Sequence, residues 1–120
     1  MTLAGHRRER IAEGILHEVS AMLSGELKDP RLAGPLAVTE VRLTPDLKQA
    51  RIYVSVLGTE EEQASTLAGL TTAAGYVQHE LTERLQLRRA PQVQFVLDRS
   101  EEYGQRIEQL LRQTKNTDEM

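Results

Sequence analysis

The stretch "LTTAAGYVQHELTERL", Leu70 to Leu85, bounds the fold more tightly than any other. Leu67, Leu70, Ala74, Val77, Leu81 and Leu85 follow one another at steps of three and four, so one amphipathic stripe runs straight through Gly75. Upstream, Thr59 and Glu62 have the spacing of a capping box, where hydroxyl and carboxylate each satisfy an unpaired backbone N–H, so the helix starts near Glu60. Unbroken to Leu87 it would hold about 28 residues and reach about 40 Å. A compact chain of this length has a radius of gyration of only about 14 Å. Glycine costs roughly 1 kcal/mol relative to alanine in an exposed helix and is used where backbone bends or is approached closely. The expectation is two helices joined by a break at Gly75. The apolar phase does not itself mark that break, and a long two-stranded coiled coil is the alternative, against which Gly69 and Gly75 both count.

The rest of the chain supplies what such helices would cover. Ile11, Ile15, Val19 and Leu23 recur every four residues beside Met22, which predicts a first helix from about Arg7 to Ser24, ended by Gly25. "ELKDPRLAGP" is an irregular connection set by Pro30, Gly34 and Pro35. "LAVTEVRLTPDLKQARIYVSVLG" predicts a β-hairpin around the turn Thr44-Pro45-Asp46-Leu47-Lys48. Ala50, Ile52, Val54 and Val56 alternate with Arg51, Tyr53 and Ser55, one face apolar and one wet; in the first strand Ala37, Thr39, Val41 and Leu43 form the expected inner set. After Pro91, "QVQFVLDRS" predicts a third strand with Val93, Phe95 and Leu97 on one side. Ser100 can cap a last helix in which Tyr103, Ile107, Leu110 and Leu111 share a face, and the tail "TKNTDEM" has nothing to bury. This predicts a single domain over residues 1–113 with a disordered tail over 114–120. Three strands with helices packed on one face make an α+β layer.

Composition narrows the function. Cysteine is absent, which excludes disulfides and thiolate metal sites, and the start "MTLAGHRRER" turns charged before an apolar run forms, so no secretory signal is visible. No apolar run approaches the about 20 residues of a membrane span, and a soluble, cytoplasmic protein is expected. The formal charge of −3 gives no mass attraction to nucleic acid. Yet Arg7, Arg8 and Arg10 cluster at the start and Arg84, Arg88 and Arg89 lie together, while Glu60–Glu62 and Glu101–Glu102 read as first turns that suit the helix dipole. His6, His17 and His79 lack metal-ligand spacing, no serine elbow or glycine-rich phosphate loop is present, and no metal or cofactor is expected. With one Phe and three Tyr, base stacking is poorly supplied, and Phe95 reads as core. A glycine break, in contrast, would leave first-turn N–H groups of the following helix free to bind phosphate. Binding is favoured over catalysis.

"KDPRL" after the first helix, "VRLTPDLKQARIYVSVLG" across the hairpin and "TTAAGYVQHELTERLQLRRAPQVQFVLDRSEEYGQRIEQLL" to the end together resemble the ribosome-binding factor A family over residues 7 to 112. That resemblance implies a type II KH-like fold. It also implies that the GXXG loop of RNA-binding KH domains is replaced by an Ala-X-Gly kink, matched by Ala73-Ala74-Gly75. The missing first glycine points away from single-strand clamping and toward recognition of folded rRNA. By resemblance the protein is a monomeric assembly factor with no active site and no small-molecule substrate. It would bind free or immature small (30S) ribosomal subunits, contact their rRNA and promote late maturation, including 5′-end processing of 16S rRNA, with a role in cold adaptation. The candidate contacts are Ala73, Ala74, Gly75 and Tyr76 at the kink, Arg84, Arg88 and Arg89 on the second middle helix, and Arg7, Arg8 and Arg10 at the start. The rival readings are a stand-alone KH-type single-stranded RNA-binding protein and a small enzyme using Glu or His as acid and base.

Overall fold

The structure, a computed structural model, describes residues 3–100. Helix α1 (Leu3–Ala21) runs into a wider π turn, Met22–Glu26, where Gly25 leaves helical backbone angles and stops the helix. Ile15, Val19 and Met22 are fully buried, so the four-residue stripe is the face that enters the core. The "KDPRL" connection then forms a single 3-10 turn, Pro30–Leu32. The Asp29 carboxylate caps it, accepting the Arg31 backbone N–H at 2.9 Å and the Arg31 guanidinium at 2.6 Å, and Pro30 sits where a missing N–H costs nothing. Those bonds hold the Asp29 carboxyl below the usual carboxylate range, the side-chain bond from Arg31 most strongly.

Strands β1 (Leu36–Leu43) and β2 (Gln49–Val56) pair antiparallel, and β3 (Gln92–Leu97) adds to β2 in parallel, giving the order β1-β2-β3. Ala50, Ile52, Val54, Val93 and Phe95 face the core, which α1 and helix α2 (Glu60–Arg84) cover from the same side. Arg51 and Gln94 are exposed on the other face, where the Arg42 guanidinium lies 5.2 Å from the centre of the half-buried Tyr53 ring. This is the expected α+β class, a three-stranded sheet with helices on one face.

Strand β1 departs from its expected inner set. Leu36, Val38, Val41 and Leu43 pack against the core, whereas Ala37 and Thr39 are exposed. The register shifts between Val38 and Glu40, and the extra residue Thr39 moves the inward set from even to odd positions. Its hydroxyl donates to the Asp98 carboxylate at 2.6 Å, beyond the end of β3.

The expected break at Gly75 is also overturned. Helix α2 runs through its 25 residues without interruption and opens with the expected Thr59–Glu62 capping box. The length argument fails because a helix of about 37 Å simply overhangs the sheet. One glycine costs about 1 kcal/mol, whereas each large apolar side chain buried along an unbroken stripe contributes about 1.5–3 kcal/mol. Leu70, Val77 and Leu81, on both sides of Gly75, are fully buried. Within α2 the glycine that packing does need is Gly69. A Cβ there would lie 3.2 Å from Arg31 Cβ and from Leu32 Cδ2, because the 3-10 turn rests on α2 at that point and Thr66 donates its hydroxyl to the Arg31 carbonyl at 3.1 Å. At Gly75 an added Cβ would meet nothing within 4 Å.

Opposite outcomes follow for the two glycines. Gly75→Ala raises stability by about 0.5–1 kcal/mol through helix propensity, whereas Gly69→Val lowers it by about 1–3 kcal/mol through crowding. Urea unfolding reads both, and a destabilised Gly75→Ala protein would restore the bend. The expected last helix from Ser100 and the tail over 114–120 lie outside the described residues, as does any test of the domain boundary at 113.

Candidate functional site

The segment Ala73–Tyr76 spans the boundary between the core face and the solvent face of α2. Ala74 packs against the core, Ala73 is half-buried, Gly75 is exposed, and Tyr76 is 45% exposed. Because the helix continues through Gly75, the N–H groups there belong to its own backbone ladder and no free donors are left for a phosphate. The surface is instead uncharged. No charged residue occurs from Gln63 to Gln78, and the Thr71 and Thr72 hydroxyls donate back to the Leu67 and Ala68 carbonyls at 2.9 and 3.0 Å.

Arg84, grouped with Arg88 and Arg89 by sequence, parts from them in space. Its guanidinium donates to Glu18 on α1 and Glu80 on α2, each at 3.3 Å, and to Glu26 in the π turn. The Glu26 bond chiefly raises its pKa, with Glu18 and Glu80 adding to the shift. Three carboxylates thus fasten the end of α2 to α1, and Arg84 is part of the scaffold. Arg84→Met leaves those carboxylates facing one another with no counter-charge. A lower melting temperature is expected, with the deficit shrinking as salt screens the repulsion; a deficit independent of salt would assign Arg84's contribution to packing alone.

Arg7, Arg88 and Arg89 do converge. With Lys48 from the hairpin turn they surround a cleft of about 630 Å³. Two pieces of local chemistry bring them there. At the end of α2 the Leu85 N–H bonds the Leu81 carbonyl (3.0 Å) and the Leu87 N–H the Thr82 carbonyl (3.1 Å), with Gln86 at a left-handed φ of 52°. That is a Schellman ending, and it throws Arg88 and Arg89 off the helix axis. In the hairpin turn the Thr44 hydroxyl donates to Asp46 (2.6 Å), Asp46 accepts the Lys48 N–H (3.0 Å), and Leu47 takes a left-handed φ of 63°. The Thr44 bond, then the Lys48 N–H, keep the Asp46 carboxyl below the usual range. All four cations are exposed, and among the described residues none is in an ion pair, so the cleft carries four positive charges against the one negative charge of Asp46.

Arg8 and Arg10 are exposed on α1 but do not line the cleft. Lys48 and Leu47 are legible in the sequence only as turn residues; nothing local in "TPDLKQ" says that this turn meets the end of α2. Among the described residues no group of three His, Asp or Glu could hold a metal ion, and no helix is long and apolar enough to cross a membrane.

A family model described as ribosome-binding factor A matches residues 7–111. The chain belongs to the ribosome-binding factor A family. A relative of that name from Acetivibrio thermocellus is 48% identical over 108 residues, covering 90% of this chain and 88% of its own. One from Anaeromyxobacter dehalogenans is 46% identical over 110 residues, 92% of this chain and 80% of its own. The crystal structure of ribosome-binding factor A from Thermus thermophilus is similar with a TM-score of 0.60 at 28% identity, covering 82% of this chain and 100% of that one. A homology model of the Thermus thermophilus factor, fitted into a cryo-EM map of a 30S–RbfA complex, is similar with a TM-score of 0.57 at 29% identity, covering 79% of this chain and 94% of that one. The family's relatives named here are bacterial, and their name describes a binding factor.

Proposed function

We propose that this protein binds free or immature small ribosomal subunits in the bacterial cytoplasm as a monomer. There it contacts rRNA and promotes late maturation, including 5′-end processing of the 16S rRNA, without cleaving it. The observation that carries this reading is its similarity to the Thermus thermophilus factor fitted into a 30S complex. The cleft edged by Arg7, Lys48, Arg88 and Arg89 supports an RNA-facing side, because clustered unpaired cations replace the counterions of a phosphate backbone. Arg8 and Arg10 extend that side along α1, while Ala73, Ala74, Gly75 and Tyr76 offer a second, uncharged surface on which a folded partner can rest.

No bond need be made or broken by the protein itself. A binder that prefers one rRNA arrangement shifts the population toward it by its differential affinity for the two states, and nucleases that act on that arrangement then do the cutting. Co-sedimentation with small subunits, large subunits and whole ribosomes tests the reading. Pelleting with free small subunits is expected, with little on large subunits. Equal pelleting with all three, or tight binding to short RNA oligonucleotides with none to the particle, would sink it.

A further inference from the structure

The basic surface formed by Arg7, Lys48, Arg88 and Arg89 is hollow. Ile11, Leu47 and Leu87 are half-buried in the cleft wall and Pro91 is buried beneath them, while the cations stand exposed at the edge. The volume of about 630 Å³ falls in the range of about 300–1,000 Å³ found for pockets that enclose small organic ligands. Polarity divides the way a nucleotide does, with a charged phosphate at the rim and a flat, weakly polar base inside. Among the described residues no aromatic side chain lines the cleft, so a base there would lie against aliphatic side chains and the planar guanidinium of Arg88 or Arg89.

Gln78 adds a directional group. Its side-chain carbonyl accepts the Val93 N–H at 3.0 Å, which fixes the orientation of the amide. Its NH₂ has no acceptor among the described residues, and the side chain lines the cleft. The left-handed Leu47 is the other mark of a built site, since residues held in sparsely populated backbone regions gather at ligand clamps.

We propose that this cleft receives one unpaired nucleotide of small-subunit rRNA, turned out of its stack, with its phosphate among Arg7, Lys48, Arg88 and Arg89 and its base on Leu47 and Leu87. The Gln78 NH₂ donates to an acceptor on the base edge. The inference rests on the small subunit being the partner, and it goes further by saying how one nucleotide is gripped.

The test is chemical probing of base reactivity on immature small subunits carrying the wild-type protein or either of two variants. Ala90→Phe puts a phenyl ring into the cleft without changing charge. Leu47→Gly removes part of the apolar wall and suits the left-handed backbone, so it keeps the fold if the phenyl ring does not. With the wild type, one unpaired nucleotide loses most of its reactivity; with both variants, at protein concentrations that saturate the particles, that nucleotide stays reactive. Pelleting without any such protection, or protection that survives both variants, overturns the cleft while leaving the proposed function standing. Failure of the wild type to pellet overturns the proposed function and the RNA occupant together. Titration with AMP and UMP separates a free nucleotide from one in RNA. Chemical shifts at Leu47 and Leu87 on adding either monophosphate, with no protection on the particle, would assign the cleft to a free nucleotide and overturn the proposal.

Discussion

Small subunits bind the Arg88→Glu, Arg89→Glu double variant about 100–1,000-fold more weakly than the parent protein at low salt, with the gap closing as salt rises. Both guanidinium groups are exposed at the cleft edge and, among the described residues, neither is neutralised by an ion pair. At close approach in water a unit-charge pair is worth about 1 kcal/mol, and reversal replaces that attraction by a repulsion of similar size. Removing an arginine–phosphate interaction also lowers the salt slope by about one. The measurement is co-sedimentation across a salt series. Equal weakening at every ionic strength would mean that the variant is misfolded, and unchanged binding throughout would remove this cleft from the RNA interface. Arg84 supplies the contrast, since its charge is already spent on Glu18, Glu26 and Glu80. Replacing it should alter stability before it alters affinity.

Leu81→Ala lowers the unfolding free energy by about 2–5 kcal/mol, a large part of the roughly 5–15 kcal/mol of a typical domain. Leu81 is 0% exposed and lies in the core with Ile15, Val19, Ile52 and Phe95, which come from α1 and the sheet. Truncation removes the transfer free energy of its side chain and leaves a cavity that three elements would have to collapse to fill. Urea unfolding with an unchanged m-value is the expected signature. A cost under about 1 kcal/mol would imply that the half of α2 beyond Gly75 is not packed on the sheet.

Much of this architecture is legible in the chain for reasons that are local. The capping box needs only Thr59 and Glu62, three residues apart, and both of its bonds form, at 3.1 and 3.2 Å. Strand β2 alternates Ala50, Ile52 and Val54 with Arg51, Tyr53 and Ser55, and the first set is fully buried. Strand β1 is legible only in part, because alternation counts residues and cannot see that Thr39 is an extra one, tied to Asp98 59 positions away. The α2 stripe is continuous, as its periodicity says. Compactness argues against such a length and points to Gly75, when the turn of "KDPRL" bears on Gly69 instead. Arg84, Arg88 and Arg89 look alike in sequence, yet one closes a network between helices and two edge a cleft.

The amino-acid sequence by itself determined α1, the hairpin, the capped start of α2 and β3 in their order, the core faces of α1, β2 and α2, and membership of the ribosome-binding factor A family. Only the tertiary structure decided which glycine is crowded, which arginines stay available, and that Arg7, Lys48, Arg88 and Arg89 share one hollow. The division is physical. Caps and stripes come from interactions spanning three or four residues, which any reader of the chain can count. Arg84 meeting Glu18 across 66 positions, or Lys48 sharing a cleft with Arg89, exists only once distant segments have packed together.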